Sequence, residues 1–268
     1  MKILALLAAT TLSIGALAAP VLADGHLPDL DGRAVVIATE DAYPPIQFKD
    51  PATGDAIGWE YDFMAEASER LNFTPEYEKI SWDGMIAAVG QGEFEMGMTG
   101  ITIRDDRKEA VNFSDPYITS QMRMIVRGDE DRFDGAESFA ADPDLLASAQ
   151  PGTTPFYVTV YDVLDGDEAN PRIKLFETFG AGLQALRTGD VDLALSDSTA
   201  AAGYVAASDG GLKIVGDPLG TEQFGFIFPK DADQALIDAF NAVIADMDAD
   251  GTLEALNTKW FLDYKLGG

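Results

Sequence analysis

Cysteine is absent from the 268 residues, and histidine occurs once, at His26. The missing cysteine excludes disulfides, thiolate chemistry and cysteine-type zinc sites. It also excludes the lipidated N-terminal cysteine of a bacterial lipoprotein. His26 lies in an N-terminal tail, away from every motif described below. Basic residues are scarce, 18 Lys and Arg against 46 Asp and Glu, for a formal charge of −28. Such a surface repels phosphate backbones and argues against a nucleic-acid partner. It favours solubility and weakly enriches cationic ligands nearby; a salty habitat selects the same composition. No nucleophile elbow, phosphate loop or metal-ligand cluster is present, so no cofactor or metal is expected.

What is present begins with a secretory signal over residues 1–23. Lys2 forms its charged start, Ile3 to Ala19 is apolar, and Val21-Leu22-Ala23 reads as a cleavage site before Asp24. The run is short for a membrane anchor, Thr10, Thr11 and Ser13 dilute it, and no second apolar span follows. Cleavage leaves 268 − 23 = 245 residues, and loss of Lys2 takes the charge from −28 to −29. That length suits one large domain or two lobes of ~100–150 residues.

The chemistry is densest between Gly92 and Pro116. Phe94–Met98 reads as a short buried strand ended by Thr99 and Gly100. Gly100 has no Cβ, so a ligand can approach the backbone closely there. Thr102 offers a hydroxyl two residues on, and Arg107 a guanidinium at the start of a helix expected over Asp105–Val111. A backbone N–H, a hydroxyl and an Arg fork past a strand end suit a small carboxylate. The residues alone fit equally a strand–turn–helix with a surface Arg.

The run G-I-T-I-R-D-D-R-K, followed by F-S-D-P-Y, resembles the core motif of the periplasmic amino-acid-binding proteins of ABC importers, solute-binding family 3. The resemblance implies that Gly100, Thr102 and Arg107 hold the α-carboxylate of an amino acid. It extends along nearly the whole mature chain. The β-branched run Arg33–Thr39 reads as a buried strand, and the E-D-A-Y-P-P-I turn after it matches the family's Y-x-P-F segment, with Ile46 in place of Phe. Glu40 and Tyr43 are the ligand-facing residues carried over there. Each also reads plainly, Glu40 as a solvated acid and Tyr43 as packing under the loop. Gly58 to Phe63 opens a helix to Leu71 and resembles the G-F-D-x-D segment. Thr74–Ile80 is a strand, and Ser81 to Gly84 caps a helix over Met85–Val89. Trp82 falls where the family places a pocket aromatic, or in the core.

Further on, Met122–Val126 and Leu145–Gln150 read as strands. Gly128 to Asp144 is a loop or a surface helix. Thr154 followed by Pro155 reads as an N-cap and first turn, opening a helix to Leu164 whose free N–H groups form an anion site. The family has a G-[ST]-T-x segment here that gives the carboxylate a second grip. Pro155 departs from it by removing a donor, so Thr154 keeps that role in part. Gln150 is placed to read a ligand side chain. For Thr154 and Gln150 a plain helix cap is the alternative.

Ala88–Gly100 and Ala185–Asp197 share one pattern at a constant offset of 97: helix end, Gly turn, acid, apolar, acid, strand. The echo suggests two similar α/β lobes with Gly100 and Asp197 at equivalent strand ends, where open sheets bind ligands. The resemblance gives Asp197 the α-ammonium; capping of a helix over Ser198–Ala207 is the plainer role. Ligand held from both lobes would close the cleft by a hinge motion.

The expected fold is therefore α/β and of the type II periplasmic-binding-protein kind. Each lobe is a mostly parallel sheet flanked by helices, with two hinge crossings near Ile118–Gln121 and Leu219–Phe224. Lobe one takes residues 24–119 and 225–268, and lobe two residues 120–224. Gly225–Pro229 returns a strand to lobe one, and helices follow over Ala232–Met247 and Gly251–Phe261. The expected function is capture of a free amino acid in the periplasm and delivery to the permease subunits of an ABC importer, by a monomer. Glu40 beside Tyr43 and Trp82 favours a polar or basic side chain through charge pairing and cation–π contact. The rivals are a periplasmic dehydratase on the same fold, with Glu40 or Asp197 as acid or base, and a ligand-loaded partner of a sensor or dehydrogenase.

Overall fold

The structure, a computed structural model, describes residues 27–265. The signal expected over residues 1–23 and the lone His26 lie outside them. Among the described residues no helix is long and apolar enough to cross a membrane.

The first sheet grows from β1 (Ala34–Thr39), whose apolar side chains pack on both faces. A small antiparallel sheet of β2 (Ala42–Tyr43), β3 (Gln47–Lys49) and β4 (Ala56–Ile57) follows. Then come α1 (Trp59–Leu71), β5 (Thr74–Lys79), α2 (Trp82–Gly90), β6 (Met96–Gly97), α3 (Asp105–Lys108) and β7 (Asn112–Phe113). The ten-residue β8 (Ile118–Arg127) carries the chain into the second sheet. There α4 (Ala136–Ala141), β9 (Ala147–Ala149), α5 (Thr154–Val158) and β10 (Ile173–Leu175) precede α6 (Phe179–Thr188), β11 (Leu193–Asp197), α7 (Ser198–Ala206) and β12 (Leu212–Val215). The return runs through β13 (Thr221–Phe224) and β14 (Ile227–Phe228) to α8 (Gln234–Ala249) and α9 (Thr252–Asn257).

Strand order is β5-β1-β6-β14-β7 in one sheet and β10-β9-β11-β8-β12 in the other. In each, the first three strands are parallel and the remaining pairings antiparallel. The central strands, β6 and β11, are the two halves of the 97-residue echo. The strands between the sheets pair with each other, Phe224 opposite Ile118 and Thr221 opposite Gln121, as a two-stranded ribbon. Each lobe has its own apolar core. Lobe one centres on an aromatic stack in which Tyr117 lies 5.2 Å from Trp59 and 4.3 Å from Phe226, ring centroid to centroid.

Several elements differ from their expected extent, each for a local reason. The strand expected at Phe94–Met98 shrinks to Met96–Gly97, because the Glu95 side chain takes the Val36 N–H at 3.0 Å. Helix α3 stops at Lys108, where the Ala110 N–H turns to the Arg107 carbonyl three residues back, at 3.0 Å, in place of the four-residue helical bond. Helix α2 starts at Trp82, and Ser81 precedes it without a side-chain cap. In α5 the capping residue is Thr153, which accepts the Phe156 N–H at 3.2 Å. Thr154 and Pro155 therefore occupy the first two helical positions.

Helix α1 also lacks a side-chain cap. Its first N–H groups, those of Trp59 and Glu60, donate to the Pro45 and Ile46 carbonyls at 3.0 and 2.9 Å. That close pass requires glycine at position 58, where φ is +137° and a Cβ would lie 2.4 Å from the Ile46 oxygen. Gly58→Ala is expected to destabilise the protein by about 2–4 kcal/mol, lowering Tm by about 5–10 °C. Thermal denaturation checks this; an unchanged Tm contradicts the close pass.

Candidate ligand-binding site

Strand ends and helix starts from both lobes converge on one cleft. Lobe one contributes Glu40 and Tyr43 after β1, Trp82 at the start of α2, and Gly100, Thr102 and Arg107 after β6. Lobe two contributes Gln150 after β9, Thr154 at the start of α5, and Phe179 at the start of α6. Of the nine residues singled out from the sequence, all but Asp197 line this cavity.

Arg107 is 5% exposed. Its guanidinium lies 4.8 Å from the centre of the Trp82 ring. Nη1 donates to the Thr102 carbonyl at 2.9 Å and Nη2 to the Gly152 carbonyl at 3.1 Å, across the cleft. Those two bonds leave most of its five N–H donors without a partner, and no carboxylate pairs with it among the described residues. Burial, and secondarily Arg104, push its pKa down to about 9, so it remains a cation at neutral pH. Trp82, buried at 8% exposure, fills both roles the sequence left open, packing on Arg107 and walling the cavity.

Three further residues differ from expectation in detail. The Gly100 N–H is engaged at 2.9 Å by the Glu60 carboxylate behind it. Gly100 therefore serves by its missing Cβ and positive φ of 64°, which let Tyr43 pack 3.3 Å from the Cβ position. Thr154 reaches across the cleft, its hydroxyl donating to the Thr102 hydroxyl at 2.8 Å. Asp197 is 1% exposed and caps α7, accepting the Thr199 and Ala200 N–H groups at 2.9 and 3.1 Å. Its other oxygen accepts the Tyr43 hydroxyl, which also lies 3.0 Å from Ser196 Oγ. Desolvation, and after it the charges of Asp197 and of Glu222 on β13, raise the Tyr43 pKa far above its usual range, so it stays a donor.

At the cavity mouth, Gln150 Nε2 donates to Glu40 Oε1 at 3.0 Å, joining the lobes a fourth way. Desolvation raises the Glu40 pKa, and the Gln150 bond partly offsets it. Glu222 escaped sequence reasoning, as did Phe179, which meets the Tyr43 ring edge-on at 5.6 Å. Alternation held the signal for Glu222: in T-E-Q-F the inward Phe224 places Glu222 on the same face. Glu222 is 8% exposed, and its Oε2 accepts the Thr102 hydroxyl at 2.8 Å. Burial, then Asp197, raise its pKa to about 7. Among the described residues no cluster of three or more His, Cys, Asp or Glu could hold a metal ion.

Two α/β lobes joined by a two-stranded ribbon, with a buried unpaired cation between them, define a ligand-clasping protein. The chain belongs to the bacterial extracellular solute-binding proteins, family 3, whose model matches residues 35–263. Similar to it is the L-cystine-binding protein TcyJ of Escherichia coli K12, 27% identical over 227 residues, which are 85% of this chain and 82% of that one. The structure of ArtJ from Geobacillus stearothermophilus, an arginine-, lysine-, histidine-binding protein, superposes with a TM-score of 0.77 at 27% identity, over 85% of this chain and 95% of ArtJ. The ancestral amino acid-binding protein AncCDT-1, a precursor of cyclohexadienyl dehydratase, gives 0.74 at 30% identity, with the same coverages of 85% and 95%.

Behind the cavity, Glu60 is fully buried, with Oε2 unpartnered. Its Oε1 accepts the Gly100 N–H at 2.9 Å and the Tyr117 hydroxyl. Desolvation raises its pKa from 4.5 to about 7, against the pull of those two donors. Below about pH 4.5 the group is neutral in folded and unfolded chains alike. As pH rises towards 7 the unfolded chain ionises first, so folding stability is lost across that window, up to about 3 kcal/mol. Glu60→Gln is expected to remove this part of the slope and to raise Tm near pH 8. Melting curves between pH 5 and 8 test it; a variant with the wild-type slope contradicts the assignment.

Proposed function

We propose that this protein binds a free L-amino acid with a polar or basic side chain in the periplasm and delivers it to the permease subunits of an ABC importer. The observation that carries the reading is Arg107, a buried guanidinium with open donors facing a cavity between two lobes. A carboxylate satisfies it in the bidentate geometry Arg favours. The acids Asp197 and Glu222 give the adjacent wall the sign an ammonium needs. Glu40 and Gln150 meet at the mouth, with Tyr43, Trp82 and Phe179 supplying aromatic surface, which suits a polar or cationic side chain. Glu40 at the wall and Asp197 close behind it give a basic side chain acids to face. The arginine, lysine and histidine binding of ArtJ supports the same choice.

One observation favours the enzyme reading: Glu222 is a cleft carboxyl of near-neutral pKa. Recovery of bound ligand chemically unchanged after incubation counts against it, and turnover counts for it.

A thermal-shift titration against the standard L-amino acids tests the function. Ligand at ~100 times its Kd adds about 2.7 kcal/mol of stability. The expected result is strong shifts for Arg, Lys, His or Gln, with Arg107→Ala losing at least ~100-fold in affinity, about 2.7 kcal/mol. No shift with any amino acid contradicts the function. Shifts confined to apolar amino acids contradict the side-chain reading, and normal affinity in Arg107→Ala contradicts the carboxylate site.

A further inference from the structure

The geometry points to Arg104 as a positioning residue for ligand capture: stacked on Tyr157 across the cleft, it clamps the lobes around the ligand and slows its escape without touching it. This rests on the amino-acid reading above. Arg104 belongs to lobe one, at the N-cap of α3. Tyr157 belongs to lobe two, on α5, where it packs half-buried against that lobe's core. The guanidinium carbon of Arg104 lies 4.3 Å from the centre of the Tyr157 ring, well within the range of a cation–π contact. Neither side chain lines the cavity. The four cross-cleft contacts described above are hydrogen bonds at the cavity or directly behind it; this one stands outside.

Both partners are held in place by their own lobe. Asp106 takes Arg104 Nε at 2.9 Å and Nη2 at 2.5 Å, one bond to each carboxylate oxygen. That bidentate pair sets the plane of the fork. The remaining Nη1 is buried with no hydrogen-bond partner among the described residues, which leaves the negative face of the ring to compensate it. Tyr157 is stacked on Tyr161 at 6.3 Å, with planes 7° apart, and meets Phe156 edge-on at 5.1 Å. The placement matters as much as the contact. Arg104 comes three residues before Arg107, and Tyr157 three residues after Thr154, a spacing that sets side chains side by side on a helical turn. The clamp thus ties together the two helix starts that the proposed carboxylate site uses. Separating the lobes breaks the stack, so it stabilises only the closed state. Its loss therefore shows as faster release of ligand, with entry into the open cleft unchanged.

A double-mutant cycle read by stopped-flow tests the clamp, with L-arginine, L-lysine, L-histidine and L-glutamine as ligands. Tryptophan fluorescence reports binding, since Trp82 lines the cavity. Arg104→Ala and Tyr157→Leu are each expected to raise the dissociation rate by ~3–30-fold and to leave the association rate within ~2-fold. Tyr157→Phe keeps the ring and is expected to stay within ~2-fold of wild type. The double variant is expected to release ligand no faster than the worse single one, within ~2-fold. An unchanged dissociation rate in Arg104→Ala overturns the clamp. A wild-type rate in Tyr157→Leu overturns it too, because Arg104 then acts by its charge alone. Additive effects in the double variant, or a Tyr157→Phe as fast as Tyr157→Leu, also overturn it. Each of these results leaves the amino-acid reading standing. Wild type that binds none of the four overturns the clamp together with the reading beneath it.

Discussion

A guanidinium buried at 5% exposure without a carboxylate paired to it among the described residues is an expensive thing for a fold to keep. Arg107 is kept there by the elements around it. The turn after β6 brings the Thr102 carbonyl under Nη1, the Trp82 ring covers one face of the fork, and Gly152 of the other lobe caps Nη2. Neutral acceptors and an aromatic face moderate the desolvation without cancelling the charge. What remains is a preorganised cation in a low-dielectric cleft, where an anion gains more than it would at a surface. The fold dedicates its short central strand, a glycine turn and the start of two helices to that one side chain.

The same cation explains why the two lobes meet as they do. The Arg107–Gly152, Thr102–Thr154, Tyr43–Asp197 and Glu40–Gln150 contacts all cross the cleft, and all involve residues at the cavity wall or directly behind it. A ligand that touches Arg107 from one side and this acidic wall from the other adds to the contacts holding the lobes together. Closure and binding are then one event, with the β8–β13 ribbon as the natural place for bending.

Much of this was legible in the sequence. The β-branched run of β1 and the echo between residues 88–100 and 185–197 marked the central strands and suggested two similar lobes, because those signals come from local burial patterns, whereas the small sheet β2–β4 read as turns. Arg107, Thr102 and Gly100 stood out because a carboxylate grip needs those groups in close succession. What stayed hidden depends on long-range neighbours. The Gly100 N–H is taken by Glu60, 40 positions earlier, and no local pattern announces that. Asp197 stands at the expected strand end, but α7 and Tyr43 claim its oxygens. Glu222 lies 120 positions from Thr102, on a strand that reads as a mere connection. The one-residue shift of the α5 cap from Thr154 to Thr153 shows the limit of cap assignment where two threonines adjoin.

The central claim is that Arg107 recognises the α-carboxylate of an amino acid. The most direct measurement compares L-arginine with L-argininamide, and L-glutamine with its C-terminal amide, by calorimetry on the wild-type protein. The amides keep the ammonium and the side chain and lose only the anion. The account predicts that the better-bound acid of the two loses at least ~100-fold in affinity on amidation, about 2.7 kcal/mol. Equal affinity for acid and amide would mean that Arg107 serves the fold alone and would contradict the account.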